Sequence, residues 1–167
     1  MSKFKAFAIH LGISFVIFLV ILYIIIFHWY PVPFFHSDGG WQGIKIIAGV
    51  DLVLGPLLTL IVFKAGKPKL KLDMTIIGLV QASALAWGIW AIHHERPLAT
   101  VFADGYFATV TPYEVSATGL GPQEMTRFGE RPPYWIYSNL PTEEKDLRAV
   151  RLRSAQTAKP ISLMTEY

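Results

Sequence analysis

An acidic side chain, Asp51, lies near the middle of an apolar run at residues 44–63 (IKIIAGVDLVLGPLLTLIVF). About 20 apolar residues are enough to cross the hydrocarbon core of a bilayer. An ionised carboxylate at the centre of such a helix costs roughly 2.5–3.5 kcal/mol, and each Leu, Ile, Val or Phe offsets about 0.3–0.6 kcal/mol. The run can therefore insert, and Asp51 is a candidate functional residue that needs a partner.

Two small residues share a helical face with Asp51. Gly55 and Thr59 follow it at intervals of four, so all three form one stripe. Such a stripe lets another helix approach closely, and a polar group within it can form hydrogen bonds across the interface. Pro56 has no N–H, so on α-helical spacing the carbonyl of Leu52 loses its partner and a kink is expected. The stripe predicts a helix-packing site centred on Asp51.

Polar residues in two other apolar runs are candidates to meet this stripe. Gln81 lies among small residues in one run, and His10 and Ser14 lie one helical turn apart in the other. Three roles remain open for Asp51: packing within a three-helix bundle, binding of another protein's transmembrane helix, or relay of a proton or ion. The relay has the least support, because the chain shows neither a companion acid nor inverted repeats.

Three apolar segments predict transmembrane helices that would position these residues, at 6–27, 44–63 and 74–92. With 53% hydrophobic and 16% charged residues, the composition is that of a membrane protein rather than a soluble domain. The first segment exceeds the apolar region of a signal peptide and no A-x-A site follows it, so we expect a retained anchor.

The basic residues predict the orientation of these helices. Lys3 and Lys5 precede the first segment, the first connection (28–43) has no Lys or Arg, and the second connection contains four lysines, Lys64, Lys67, Lys69 and Lys71. The positive-inside rule then places the N-terminus and the lysine-rich connection in the cytoplasm. We expect a transmembrane domain at 1–95 and a periplasmic domain at 96–167. The lysines would face anionic headgroups, so nucleic acid is not an expected partner.

The segment after residue 95 predicts a small α+β domain. Two β-prone runs, 98–103 and 106–111, flank Asp104-Gly105, a strong signal for a type I′ hairpin. Thr142 predicts the N-cap of a helix over 143–156. The Gly- and Pro-rich stretch between them predicts no regular element. The expected fold is thus a membrane α-helical protein, three helices with N-in, C-out topology, followed by a small outer domain with a β-hairpin.

The composition also argues against several kinds of chemistry. The chain has no cysteine, which excludes disulfides and thiolate metal sites. Its histidines show no zinc-binding spacing, so we expect no metal and no cofactor. A nucleophile elbow, a P-loop, a G-x-G-x-x-G fingerprint and H-E-x-x-H are all missing from the sequence, and we do not expect an enzyme.

Three segments carry a resemblance to a known family: FKAFAIHL at 4–11, GVDLVLGPLLTLIVFK at 49–64, and Arg96-Pro followed by the hairpin. Over roughly residues 1–115 the chain resembles the TfpX/TfpZ-type family of type IV pilin accessory proteins. The resemblance implies an inner-membrane protein that assists pilin stability, pilus assembly or pilus dynamics, without established enzymatic activity or cofactor. The matching motif positions are His10, Asp51, Gly55, Pro56 and Arg96.

Both lines of reasoning lead to one hypothesis, in which the protein binds a pilin in and above the membrane. The stripe would form a groove for the apolar pilin helix, and 98–111 would engage the pilin head by strand addition. The predicted partner-binding residues are His10, Asp51, Gly55, Pro56, Thr59, Gln81 and Arg96. The alternative hypothesis is a small membrane carrier or proton-coupled subunit that uses Asp51. The oligomeric state is left open.

Overall fold

The structure, a computed structural model, describes residues 2–166 and consists of two compact units. The first unit ends at His93 and the second begins at His94. The first is helical, and the second combines a small sheet with short helices. Each unit has its own apolar core.

Three long helices form the first unit, and each is long and apolar enough to cross a membrane: α1 (Lys3–Trp29), α3 (Gly40–Val62) and α4 (Leu70–His94). This confirms the predicted set of long apolar helices. A short helix, α2 (Phe34–Ser37), lies in the first connection. Two of the long helices change their hydrogen-bond spacing along their length. Lys3–Ile24 of α1 is α-helical and Ile25–Trp29 is π-helical, while in α3 the π-helical segment Gly49–Leu54 separates Gly40–Ala48 from Gly55–Val62.

An apolar core lies where α1 ends and α3 begins. Its buried members are Ile21, Ile25, Tyr30, Phe35, Ile44 and Ile47, and Leu85, Ile89 and Ile92 of α4 pack against it. The Tyr30 hydroxyl donates a hydrogen bond of 3.0 Å to the carbonyl of Ile92. This contact satisfies the hydroxyl of the buried Tyr30 and connects the end of α1 to α4.

Helix α4 is held mainly through its C-terminal half. Gly43 allows close approach there, because a Cβ atom on residue 43 would overlap the side chain of Ile92, and Gly88 lies in ordinary contact with Ile47. No residue of α4 is buried, and the Cβ position of Gly78 meets nothing within 4 Å. The N-terminal half of α4 therefore leaves space beside the other two long helices.

The sheet of the second unit has three strands, β1 (Ala99–Ala103), β2 (Tyr106–Val110) and β3 (Tyr134–Tyr137), in the order β2-β1-β3. Strand β1 pairs antiparallel with β2 and parallel with β3. The predicted hairpin is present, with Asp104 at φ +50° and Gly105 at φ +85° as a type I′ turn requires. Strand β3 falls in the stretch for which the sequence predicted no regular element.

Three helices accompany the sheet: α5 (Pro112–Ser116), α6 (Pro122–Met125) and α7 (Glu144–Thr157). Short 3₁₀ turns cover Thr126–Phe128 and Ile161–Leu163. The predicted cap at Thr142 is wrong, because α7 starts one residue later and Glu143 occupies the N-cap without a side-chain hydrogen bond. Glu144 and Asp146 in the first turn instead complement the helix dipole. The core of this unit includes Val101, Val110, Met125 and Val150.

Candidate functional site

One side chain from each long helix meets at Asp51, which is 1% exposed. The Oδ1 atom of Asp51 accepts hydrogen bonds from Nε2 of Gln81 at 2.5 Å and from the hydroxyl of Ser14 at 3.2 Å. Nε2 of Gln81 also donates to Oγ of Ser14 at 3.2 Å. Ser14, Asp51 and Gln81 are called the Asp51 cluster below. The cluster supplies the hydrogen-bond donors that a buried carboxyl group requires.

The π-helical segment of α3 explains why the Gln81 side chain donates both to Oδ1 and to the backbone carbonyl of Asp51. The N–H of Gly55 donates to the carbonyl of Val50, five residues earlier. If this spacing continues, the Asp51 carbonyl faces residue 56, which is a proline and has no N–H. Nε2 of Gln81 lies 3.4 Å from that carbonyl. The Asp51 carbonyl therefore takes a donor from the side chain of Gln81.

Gly55 allows Gln81 to reach this position. A Cβ atom on residue 55 would overlap the side-chain amide of Gln81. Gly55 and Pro56 are both buried in α3. Gly55 was predicted to allow close approach of another helix, and the helix that approaches it is α4 of the same chain, through Gln81.

A second polar contact joins α1 to α3. Nδ1 of His10 and Oγ1 of Thr59 share a hydrogen bond of 2.6 Å, and Thr59 is buried. His10 precedes Ser14 by one turn of α1, and Thr59 follows Asp51 by two turns of α3. The two contacts therefore follow one another along the same helix–helix interface.

Two buried polar atoms in the Asp51 cluster have no hydrogen-bond partner within residues 2–166. They are Oδ2 of Asp51 and Oε1 of Gln81. Unsatisfied polar atoms are rare in buried regions. The cluster therefore retains capacity for one more donor at the carboxyl group and one at the amide.

An apolar groove of about 350 Å³ opens beside the His10–Thr59 contact. Its walls come from all three long helices: Ala6, Ile9, His10 and Ile13 of α1, Thr59 of α3 with the adjoining Phe63, and Met74, Ile77 and Gly78 of α4. The groove is the space left by the N-terminal half of α4.

Most of the residues predicted from the sequence come together in the first unit. Six of them lie at the contacts between α1, α3 and α4: His10, Asp51, Gly55, Pro56, Thr59 and Gln81. Arg96 belongs to the second unit. The stripe on α3 is buried against Ser14, His10 and Gln81 and does not itself form an open groove. Ser14 is a sequence candidate for contact with the stripe but is not among the predicted partner-binding residues, and its spacing of four residues from His10 is the signal that indicates a shared face.

The structure offers no arrangement of metal ligands in the part of the chain it describes. Within residues 2–166, no group of three or more His, Cys, Asp or Glu side chains is placed to hold a metal ion.

The comparisons place this chain in a family. Residues 1–39, which include α1 with His10 and Ser14, match the family model described as fimbrial assembly protein FimB. The fimbrial assembly protein of serogroups C1 and C2 from Dichelobacter nodosus is 35% identical over 101 residues, which cover 59% of this chain and 76% of that protein. The chain belongs to the FimB family of fimbrial assembly proteins.

Two longer relatives come from the same organism. The fimbrial assembly protein of serogroup E1 is 38% identical over 101 residues, and that of serogroup I is 35% identical over 101 residues. In both cases the match covers 59% of this chain and 39% of the relative, so this chain spans well under half the length of these FimB-family proteins. No solved structure matches the chain.

Proposed function

We propose that this FimB-family chain is a non-enzymatic assembly factor for type IV pili, of the TfpX/TfpZ type. It resides in the inner membrane and holds the apolar helix of a pilin subunit during assembly. The names of its relatives support a role in fimbrial assembly. The observation that carries the specific proposal is the groove between α1, α3 and the N-terminal half of α4.

The walls of the groove suit a transmembrane helix. In lipid, helices associate through close packing and hydrogen bonds rather than through the hydrophobic effect, and small residues bring backbones together. Ala6 and Gly78 provide small residues on opposite walls, and Ile9 and Ile13 provide exposed apolar surface. His10 provides a polar group at the same place.

The Asp51 cluster has a supporting role in this proposal. It joins the three long helices near the point where α4 diverges from the others, and thereby sets the width of the groove. A pilin helix that entered the groove would contact His10 first.

The orientation proposed here is N-terminus in and second unit periplasmic, as the lysine distribution indicates. The second unit would then meet the pilin head. Strand β1 is central in its sheet and cannot accept a further strand, so strand addition is restricted to the free edges of β2 and β3.

Photocrosslinking from the groove tests the proposal directly. A benzophenone amino acid at position 9 or 77, both in the groove walls, is expected to give a covalent adduct with pilin in piliated cells. The same amino acid at Leu19, an exposed residue of α1 outside the groove, is the matched control. Equal pilin adducts from position 19, or none from 9 and 77, would contradict the proposal.

Filling the groove provides a second test. Gly78 lines the groove and a Cβ atom there meets nothing within 4 Å, so Gly78→Phe is designed to fill the groove. We expect it to reduce surface pili several-fold while the protein level stays unchanged. Gly12→Phe is the control, because Gly12 also faces open space but lies outside the groove. Normal piliation in Gly78→Phe would be evidence against pilin binding there.

A proton-coupled carrier is the second candidate. The buried Oδ2 of Asp51, which has no hydrogen-bond partner among residues 2–166, favours it. Liposomes that contain only this protein would then show a pH- or potential-dependent flux. That flux would be lost in Asp51→Asn. A flux of this kind, together with normal pilin adducts, would assign two activities to the chain.

A further inference from the structure

The sheet of the second unit carries an aromatic face. Four side chains from the three strands make up this face: Phe102, Phe107, Trp135 and Tyr137. Phe107 is 64% exposed, Trp135 60% and Tyr137 73%. The opposite face of the sheet, which includes Val101, Ala103 and Val110, is buried in the core of the unit. One face of the sheet is thus buried in the core, and the aromatic face is exposed.

The aromatic face is a continuous, preorganised surface. The Phe102 ring lies 4.9 Å from that of Phe107 and stacks on that of Tyr137 at 5.7 Å. The Phe107 and Trp135 rings form an edge contact at 6.2 Å. Contiguous exposed apolar patches mark interaction sites, and rings held against one another lose little further freedom when they bind.

The chemistry of the face matches the boundary between lipid and water. Register pairs Thr100 with Thr109 and Trp135, so the residues beside the aromatic rings on this face are threonines rather than charged residues. Phe, Trp and Tyr combine an apolar ring with, in Trp and Tyr, one polar edge, and Trp and Tyr are enriched where bilayers meet water.

A nearby acidic residue is also neutralised. Asp104 at the tip of the hairpin forms an ion pair with Arg151, with Oδ1 and Nη2 2.6 Å apart. An unpaired carboxylate at this tip would be repelled by anionic lipid headgroups. The ion pair with Arg151 offsets the charge of Asp104 at the hairpin tip.

The length of the connection keeps this sheet close to a membrane. Only residues 95–98 separate the end of α4 from the start of β1. Four extended residues reach about 14 Å, and the headgroup layer is roughly 5–8 Å thick on each side of the bilayer. If α4 crosses the membrane, β1 must start in or just above the headgroup layer.

We propose that the aromatic face rests on the outer headgroup layer of the membrane, with the bilayer itself as the occupant of this face. The proposal rests on insertion of α4, and it does not depend on pilin binding in the groove. It implies that Phe107 and Tyr137 insert their rings among the headgroups, while α7 and its charged residues face water.

The absence of cysteine from the chain allows a direct test with single introduced cysteines. Tyr137→Cys, Phe107→Cys and, as the control on α7, Leu152→Cys replace exposed residues. Each full-length variant is labelled with an environment-sensitive fluorophore and reconstituted in phosphatidylethanolamine–phosphatidylglycerol vesicles. Quenching is measured with nitroxide-labelled headgroups in both leaflets and with aqueous iodide.

We expect the labels at 107 and 137 to emit at shorter wavelength and to be quenched by the lipid nitroxide several-fold more than the label at 152. Iodide should quench the label at 152 the most. Equal quenching patterns at all three sites would overturn the proposal. It would also be overturned if 107 and 137 were water-exposed in vesicles and became protected only when purified pilin was added, because the face would then bind protein. The outcome is independent of groove crosslinking.

Discussion

At the residue scale, the Asp51 carboxyl group is accommodated by two specific donors. Gln81 and Ser14 both donate to Oδ1, and Gln81 also approaches the Asp51 carbonyl that Pro56 leaves free. Each donor comes from a different long helix, so the acidic residue joins α1 and α4 to α3. The energetic cost of burying the carboxyl group is offset by this set of contacts.

Removing the carboxyl group should destabilise the helical unit. Asp51→Ala leaves the amide of Gln81 and the hydroxyl of Ser14 without their acceptor, which we expect to lower the free energy of unfolding by about 1–3 kcal/mol. Asp51→Asn keeps an acceptor oxygen and should lose less. Thermal unfolding of the detergent-solubilised protein measures the difference. Gln42→Ala, at an exposed position of α3, is the control, and equal effects of Asp51→Ala and Gln42→Ala would contradict the assignment.

A single methyl group at residue 55 should have a comparable effect. Gly55→Ala places a Cβ into the Gln81 amide, so the amide must leave Asp51; we expect a loss of about 1–3 kcal/mol, as for other overpacked sites. Gly78→Ala faces open space and should be neutral or stabilising by up to about 1 kcal/mol. The comparison uses the same unfolding assay. A destabilisation by Gly78→Ala equal to that by Gly55→Ala would show that the Gln81 contact is not the cause.

At the element scale, the β1–β2 hairpin and helix α7 are connected by the Asp104–Arg151 ion pair. Nε and Nη2 of Arg151 donate to the two carboxylate oxygens of Asp104 at 2.9 and 2.6 Å. The hydrogen bond from Arg151 lowers the pKa of Asp104 below its usual value of 3.8. The ionised form of Asp104 is therefore favoured in the folded protein.

The sign of the pH dependence follows from this lowered pKa. The stabilising contribution is complete above the unfolded-state pKa of Asp104 and is lost as pH falls through the lower folded-state value. We expect the difference in melting temperature between wild type and Asp104→Asn to be present at pH 7 and to shrink steadily below about pH 4. Asn also tolerates the positive φ of the turn, so the hairpin is retained. A difference that is constant from pH 7 to pH 2 would contradict a role for the charge.

At the scale of the whole molecule, the proposed topology assigns the two ends of α4 to opposite sides of the membrane. The lysine-rich connection precedes α4 and the second unit follows it. A membrane-impermeant maleimide should therefore label Arg148→Cys in intact cells with a permeabilised outer membrane. It should label Lys64→Cys only after lysis, and both positions are exposed. Labelling of Lys64→Cys before lysis would reverse the proposed orientation.

Local patterns in the sequence determined the main elements. Long apolar runs predicted three long helices, and Asp104-Gly105 between β-prone runs predicted the hairpin, because each signal is complete within one short segment. The stripe of Asp51, Gly55 and Thr59 also followed from helical spacing, and so did the need of Asp51 for a partner. The sequence could not decide whether the partner of Asp51 is Gln81 or a helix of another protein, because that depends on how separate segments pack.

Only the tertiary structure decided the contacts between distant segments. It placed a π-helical segment, Gly49–Leu54, around Asp51, and it brought Gln81 within 3.4 Å of the Asp51 carbonyl. It paired the short strand β3 with β1 in parallel. Strand β3 has only four residues, directly after two prolines, so its sequence carries little signal for a strand or for its pairing. It also buried the Asp51 stripe and opened a groove beside His10 instead. Sequence periodicity specifies which face of a helix is buried, whereas the neighbour that covers the face is set by packing across the whole unit.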